Sequence, residues 1–278
     1  MILVTGATGN VGSELVTQLT RTGQSVKALV RSAEAATLPS GAVAVGGDLD
    51  SAESMVAALD GVRAMYLMPG HAQLPRLLEL ARKAGLERVV LLSNGSAAFT
   101  ATSNVIARSM ADSERAVRES GLDWTMLRAR AFMSNSLRWL PQLAVGDVVR
   151  VQFPKVALAA IDPADIAAVA ARALIDDDLV GEVLDLTGPA ALYPADQVDV
   201  LAQVLARPLV CRELTDEETR AELAATVPPE YAAAFIDFYI DGTLDESTVY
   251  PTVAQVTGRA PRTFTEWATA HANAFRRP

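Results

Sequence analysis

Lysine, histidine and cysteine are all scarce in this chain. Only Lys27, Lys83 and Lys155 are spread over 278 residues, and no run of Lys and Arg occurs. With 33 acidic against 24 basic side chains, the formal net charge is −9. A field of that sign repels a phosphate backbone, so nucleic acid is not an expected partner. The single cysteine, Cys211, excludes an internal disulfide and has neither a CxxC partner nor a flanking base, so it reads as a quiet thiol. His71 and His271 stand far apart, no metal-ligand spacing forms around either, and no metal is expected. Long apolar runs are missing too: each is strand-sized or broken by charge within a helix length, so no membrane span is expected. The chain opens on Met1-Ile2-Leu3-Val4 without a basic stretch, which together with its thiol usage predicts a cytoplasmic location.

What is present is hydrophobic. Half of the residues are apolar and 21% are charged, enough for one large globular unit or one domain with an appendage. Short apolar runs alternate with helical patterns. Ile2–Thr5 reads as a strand, and Asn10–Arg21 as a helix with Val11, Leu15 and Leu19 on one face. Strands follow at 25–30, 42–45, 64–68, 88–92 and 124–127, and helices at 51–59, 75–84 and 104–120. Strand–helix alternation with short links predicts an α/β fold, a doubly wound parallel Rossmann sheet covered on both faces. After residue 128 the alternation weakens. Segments 148–153, 156–160 and 183–186 read as strands, and a helix opens at Asp162-Pro163. From Tyr193 on the pattern is mostly helical, including a capping box at Thr215-Asp216-Glu217-Glu218. The expected division is a dinucleotide-binding core over 1–130 and a smaller, mostly helical substrate lobe over 131–278, with strands returning to the core.

Residues 5–12 read Thr-Gly-Ala-Thr-Gly-Asn-Val-Gly. Between an apolar strand and an amphipathic helix, that glycine spacing is a phosphate cradle. Gly6 makes the tight turn, Gly9 lets backbone approach a pyrophosphate, and Gly12 lets the helix pack closely on the sheet. Free N–H groups at the helix start point at the phosphates. A nicotinamide dinucleotide is therefore the expected cofactor. The second strand ends on Val30-Arg31, with no Asp or Glu for a ribose 2′-hydroxyl. A guanidinium there suits a 2′-phosphate, which favours NADP(H) and leaves NAD(H) as the alternative. Asp48, after the third strand, is read either as a partner of the adenine amino group or as a cap of the next helix. The segments Leu67-Met68-Pro69 and Ser93-Asn94 lie at the carboxyl edge of the sheet, where ligands bind. Ser93 and Asn94 are the candidate catalytic side chains.

Together, Thr5–Gly12, Val30-Arg31, Gly47-Asp48 and Leu92-Ser93 resemble the atypical short-chain dehydrogenase/reductases, in particular their NmrA-like branch of quinone reductases and redox-sensing regulators. Val256-Thr257-Gly258-Arg259-Ala260-Pro261-Arg262, with Trp267 and His271, resembles that branch as well. The resemblance implies cofactor contacts at Gly6, Thr8, Asn10, Val11, Arg31, Asp48 with its neighbour Leu49, and Leu67, with Ser93 near the nicotinamide. It also implies that Leu127-Arg128 and Phe132-Met133-Ser134-Asn135 flank the substrate, so Phe132, Met133 and Asn135 are expected in the pocket.

The wider superfamily passes a proton from a Tyr-x-x-x-Lys pair, in which the ammonium lowers the phenol pKa. No tyrosine here has a lysine four residues on, and by local alignment the two positions fall on Met110 and Glu114. A quinone accepts hydride without a strong local acid, so positioning alone can suffice. The expected function is hydride transfer from NAD(P)H to a quinone or conjugated aromatic acceptor, for example as a tailoring step in small-molecule biosynthesis. The alternative is a non-catalytic NAD(P)-binding sensor acting through a protein partner. Phe235, Phe238 and Tyr239 are expected either to cover the cleft or to form a homodimer surface.

Overall fold

The computed structural model describes residues 1–31, 38–99 and 103–276. β1 (Ile2–Val4) leads into α1 (Asn10–Arg21), then β2 (Val26–Val30), β3 (Ala42–Gly46), α2 (Val56–Leu59), β4 (Ala64–Leu67) and α3 (Leu74–Lys83). β5 (Arg88–Asn94), α4 (Val105–Glu119) and β6 (Asp123–Ala129) complete the alternating part. Beyond it come α5 (Leu140–Val145), β7 (Val148–Val151), α6 (Pro163–Ile175), β8 (Val183–Leu186), α7 (Pro194–Leu205) and β9 (Val210–Glu213). The chain ends in α8 (Asp216–Thr226), α9 (Pro229–Tyr239), α10 (Thr252–Thr257), α11 (Phe264–Ala270) and α12 (Ala272–Phe275).

Seven parallel strands form the main sheet in the order β3-β2-β1-β4-β5-β6-β8. Its centre is buried on both faces, which is why β1 and β4 are apolar at every position but one hydroxyl-bearing Tyr66. On one face Val11, Leu15 and Leu19 of α1 pack with Ile166, Val169 and Ala170 of α6. On the other, Met55, Leu77, Leu78 and Val117 cover Leu3, Met65 and Val89. Successive connections run one way from β1 to β3 and the other way from β4, so the order reverses between β1 and β4. A crevice opens at that point at the carboxyl ends of the strands.

A third core holds the late elements together: Trp139, Leu143, Val149, Leu201, Phe264 and Trp267. The late part is not separate from the sheet, since α6 covers one face and β8 is its last strand. The Arg259–Arg262 segment is tied to α6: Arg259 pairs with Asp165 at 2.6 Å and Arg262 with Asp162 at 2.9 Å.

Two local expectations change. Residues 156–160 do not form a strand. Leu158 pairs with Leu192, Ala159 donates to the Glu246 carbonyl and accepts from Gly188, and Ile161 donates to Ala131. The backbone here is satisfied by three separate segments, so no ladder forms. β9, which pairs in parallel with β7, escapes the pattern because Val210-Cys211-Arg212-Glu213 carries charge and is largely exposed.

Candidate functional site

The crevice begins at the turn after β1. Gly6 has φ +60°, the left-handed region that glycine enters without strain, and Met68 packs against it from the end of β4. A Cβ on Gly12 would lie 2.1 Å from the Gly6 carbonyl oxygen, so only glycine lets α1 start this close to the strand. Gly9 is the N-cap of α1 and brings no side chain to close it, whereas Asn104, Asp162, Thr215 and Thr263 cap their helices with side-chain oxygens. The first N–H that α1 satisfies internally is that of Ser13, on Gly9 at 3.0 Å. Among the described residues the N–H groups of Asn10, Val11 and Gly12 have no backbone acceptor. An open helix start beside a glycine turn fits a pyrophosphate. Thr8, Gly9 and Asn10 are exposed there, while Val11 is buried in the core beneath.

Thr5 was missed by sequence reasoning. It is fully buried, and its hydroxyl accepts the Met68 N–H at 2.9 Å, which fixes the loop after β4 against the glycine turn. The signal was a lone hydroxyl at the end of an apolar strand. Leu67 and Leu49 are buried in the core beneath the sheet, so at these positions the backbone faces the crevice rather than the side chain. Met68 and Pro69 are half-buried at its edge.

Arg31 is exposed at the end of β2 and forms no ion pair among the described residues. Asp48 Oδ1 accepts the Asp50 N–H at 3.0 Å, and the Asp48 N–H donates to Ser54 Oγ at 2.9 Å. This is a local turn and not a helix cap, since the helical turn that follows at Ala52–Met55 has Ser51 as its N-cap with no side-chain bond; Asp48 Oδ2 has no partner among the described residues.

At the end of β5 the expected catalytic side chains have other partners. Asn94 Oδ1 accepts from the Ser96 N–H and hydroxyl, closing a short turn over 95–98. Ser93 is 3% exposed, and its hydroxyl donates to Glu114 Oε1 at 2.7 Å. Arg128, opposite Ser93 on β6, donates to both Glu114 oxygens at 2.8 Å, and Arg118 adds a bond at 2.9 Å. Burial opposes ionisation of Glu114, but Arg128, Ser93 and Arg118 outweigh it and hold the carboxyl below its ordinary range. Glu114 is thus an ionised anchor without a proton to give at neutral pH.

Beyond the ends of β6 and α9 lies a cavity of about 460 Å³. Phe132, Phe153, Phe235 and Tyr239 supply aromatic walls, with Asn135 and Arg138 on one side. Phe153 takes φ +53°, a conformation a bulky residue rarely adopts, and its ring lies 4.9 Å from that of Tyr239. The cavity adjoins the cradle: Asn10 Nδ2 donates to Ser134 Oγ at 3.1 Å, and Ser134 lines the cavity. Phe132 and Asn135 therefore stand where expected. Met133 does not; it is 2% exposed and packs into the third core. Phe235 and Tyr239 wall the cleft, while Phe238 is buried behind them.

Of the tyrosines, only Tyr239 lines this cavity. Tyr66 lies in the sheet core, Tyr250 packs on Arg130, and Tyr193 and Tyr231 are exposed. Burial pushes the Tyr239 phenol well above its ordinary pKa, Glu246 adds to this and Arg138 opposes it.

Residues 6–177, more than half of the chain, match the model of the NAD(P)H-binding family. The chain belongs to that family. It is 37% identical over 280 residues to the (4-alkanoyl-5-oxo-2,5-dihydrofuran-3-yl)methyl phosphate reductase of Streptomyces griseus, covering 99% of both chains. It is 34% identical to the NAD(P)H azoreductase of Xenophilus azovorans, again over 99% of both. In fold it is similar to an NADPH-dependent quinone oxidoreductase of Escherichia coli, with a TM-score of 0.81 at 23% identity over 98% of this chain and 100% of that one. The resemblance to NmrA-like atypical short-chain reductases and the expected Rossmann sheet both hold.

Proposed function

We propose that this chain reduces a conjugated acceptor, a quinone or an unsaturated ring carbonyl, at the expense of NADPH. One observation carries the reading: an aromatic-walled cavity adjoins the dinucleotide cradle, while of the two positions of the expected proton-passing pair one is Met110 and the other Glu114, which is held in an ion pair with Arg128. The kinship supports the reaction type, since two of the relatives that match over the whole chain are named as reductases of conjugated compounds. One of them acts on an acyl-substituted unsaturated lactone.

NAD(P)H supplies the hydride when bound. Gly6, Thr8, Gly9, Asn10, Val11 and Gly12 would hold its pyrophosphate, mainly through backbone N–H groups. Arg31 would take the 2′-phosphate, with Asp48 and Leu49 bordering the adenine. Leu67, Met68, Pro69 and Ser93 would line the nicotinamide side. Ser134 and Asn10 tie the cavity wall to the helix start, which keeps acceptor and donor in register. Since Glu114 is ionised and the Ser93 hydroxyl proton is directed at it, neither is a proton donor to substrate. An acceptor that spreads the incoming charge over a conjugated system needs only water or a weak donor. Among the described residues no helix is long and apolar enough to cross a membrane.

The test is NADPH oxidation, in single turnover and steady state, with a naphthoquinone, an acyl-butenolide, an azo dye and a simple aliphatic ketone. Reduction of one or more conjugated acceptors, with the ketone inert, is expected. Tight NADPH binding with no acceptor reduced would favour a sensing role instead.

A further inference from the structure

The chain is strongly acidic, yet its aromatic cavity is lined by no Asp or Glu and by one charged side chain, Arg138. Arginines around it are neutralised: Arg128 by Glu114, Arg130 by Asp185, Arg150 by Glu222 and Arg207 by Asp147. Arg138 has no ion pair and no side-chain hydrogen bond among the described residues, and its only close ring is that of its neighbour Trp139, at 5.8 Å. Glu222, behind the cavity wall, is already engaged by Arg150 and by Gln152 Nε2. Solvent reaches the guanidinium through the mouth of the cavity. The protein crowding around it still lowers its pKa, with the Tyr239 phenol the one titratable group that weighs on it in the other direction. It stays charged at neutral pH. Exposed at the cavity and without a counterion among the described residues, the guanidinium is free to take an anion.

The local geometry aims it. Residues 133–139 form a 3-10 helix, in which side chains three apart lie on one edge. Phe132, Asn135 and Arg138 share that spacing and all face the cavity. The row thus offers an aromatic surface, an amide with no partner among the described residues, and a guanidinium fork. The Tyr239 hydroxyl, also without a hydrogen-bond partner among them, stands on the wall beside it.

We propose that Arg138 binds an anionic arm of the substrate, a phosphate monoester or a carboxylate, while the conjugated ring lies among Phe132, Phe153 and Phe235. The inference rests on the reductase reading for the ring and stands on the cavity for the anion. A guanidinium takes either anion through paired N–H groups, and a charge-assisted contact is stronger than a neutral one.

The experiment separates binding from turnover. An acyl-butenolide with a hydroxymethyl arm, its phosphate monoester and its carboxymethyl counterpart are titrated by calorimetry into NADP⁺-loaded protein, which cannot reduce them. The ester is expected to bind at least about 10-fold tighter than the alcohol, the difference one charge-assisted contact makes. Arg138→Gln should weaken the ester about 10- to 100-fold and the alcohol less than about threefold, with Arg138→Lys retaining part of the gap. NADP⁺ affinity should be the same in all three proteins, and thermal melts check that both variants are folded. The carboxymethyl compound distinguishes a phosphate-selective site from a general anion site. Equal binding of ester and alcohol, a gap that survives Arg138→Gln, or no binding of either overturns the proposal. An ester that binds through Arg138 but is never reduced by NADPH upholds the anion site and overturns the reductase reading.

Discussion

Replacing Glu114 by Gln keeps the side chain's shape and removes its charge from a site where Ser93, Arg118 and Arg128 converge on it. Glu114 is 1% exposed and Arg128 17%, so the variant leaves a mostly buried guanidinium facing a neutral amide. Arg118, at 40% exposure, returns to water and contributes little to the balance. Breaking a buried ion pair on one side costs about 3–5 kcal/mol. At about 2.1 cal/mol/K of unfolding entropy per residue, a chain this long should lose about 5–9 °C in Tm at neutral pH. The pH dependence follows from the depressed carboxyl. A group whose pKa is lower folded than unfolded contributes its full stability above its ordinary value, 4.5, and loses it as pH falls through the folded value. The gap in Tm between wild type and Glu114→Gln should therefore be full at neutral pH and narrow in acid. Calorimetric melts over that range are the assay. A shift under about 2 °C at neutral pH, or a gap that widens in acid, would refute the buried-pair account. Kinetics add an independent check: an anchor that gives no proton should leave the hydride step of the folded variant within about tenfold, whereas loss of a general acid typically costs about 10²–10⁴-fold.

Three other substitutions probe the rest of the site. Gly12→Ala sets a Cβ 2.1 Å from backbone that cannot yield, so both Tm and NADPH affinity should fall; Gly9→Val, whose Cβ would stand 3.2 Å from the Gly6 oxygen at the exposed helix start, should melt near wild type but lose the dinucleotide. Equal behaviour of these two variants in melts and titrations would contradict their separate roles. Arg31→Ala should weaken NADPH by about 10- to 100-fold and NADH far less, and equal losses in fluorescence titration would take Arg31 off the 2′-phosphate. Tyr239→Phe should keep at least a tenth of the single-turnover rate, because burial makes that phenol a poor acid. A hundredfold fall at unchanged NADPH affinity would make Tyr239 the proton donor.

The Rossmann half was legible because its signals are local. A strand, a glycine turn and an amphipathic helix lie within 20 residues, and the turn's chemistry needs no distant partner. The Glu114 network was not legible, since its members come from β5, α4 and β6 and meet only through sheet register. Of the partners of Glu114 only Arg118, four residues on along the helix, is local in sequence. The one available hint was an arginine, Arg128, directly after the apolar pair Met126-Leu127 of β6, where a charge calls for a counterion.

The substrate wall was misread for a different reason, the period. The resemblance puts Phe132, Met133 and Asn135 together in the pocket, and the middle one does not belong there. The segment is a 3-10 helix, and three residues per turn group Phe132, Asn135 and Arg138 instead. Met133 and Leu137 then turn to the third core with Trp139, while the polar members of the row face the cavity. Nothing in the composition separates the 3-10 period from the α-helical one over so short a run; Pro141 just beyond it fits the start of the next helix, and Met133 and Trp139 pack with residues of β7 and α7. The consequence is chemical. The observed winding adds a guanidinium to the amide and the aromatic rings and makes a charged arm on the acceptor the natural complement.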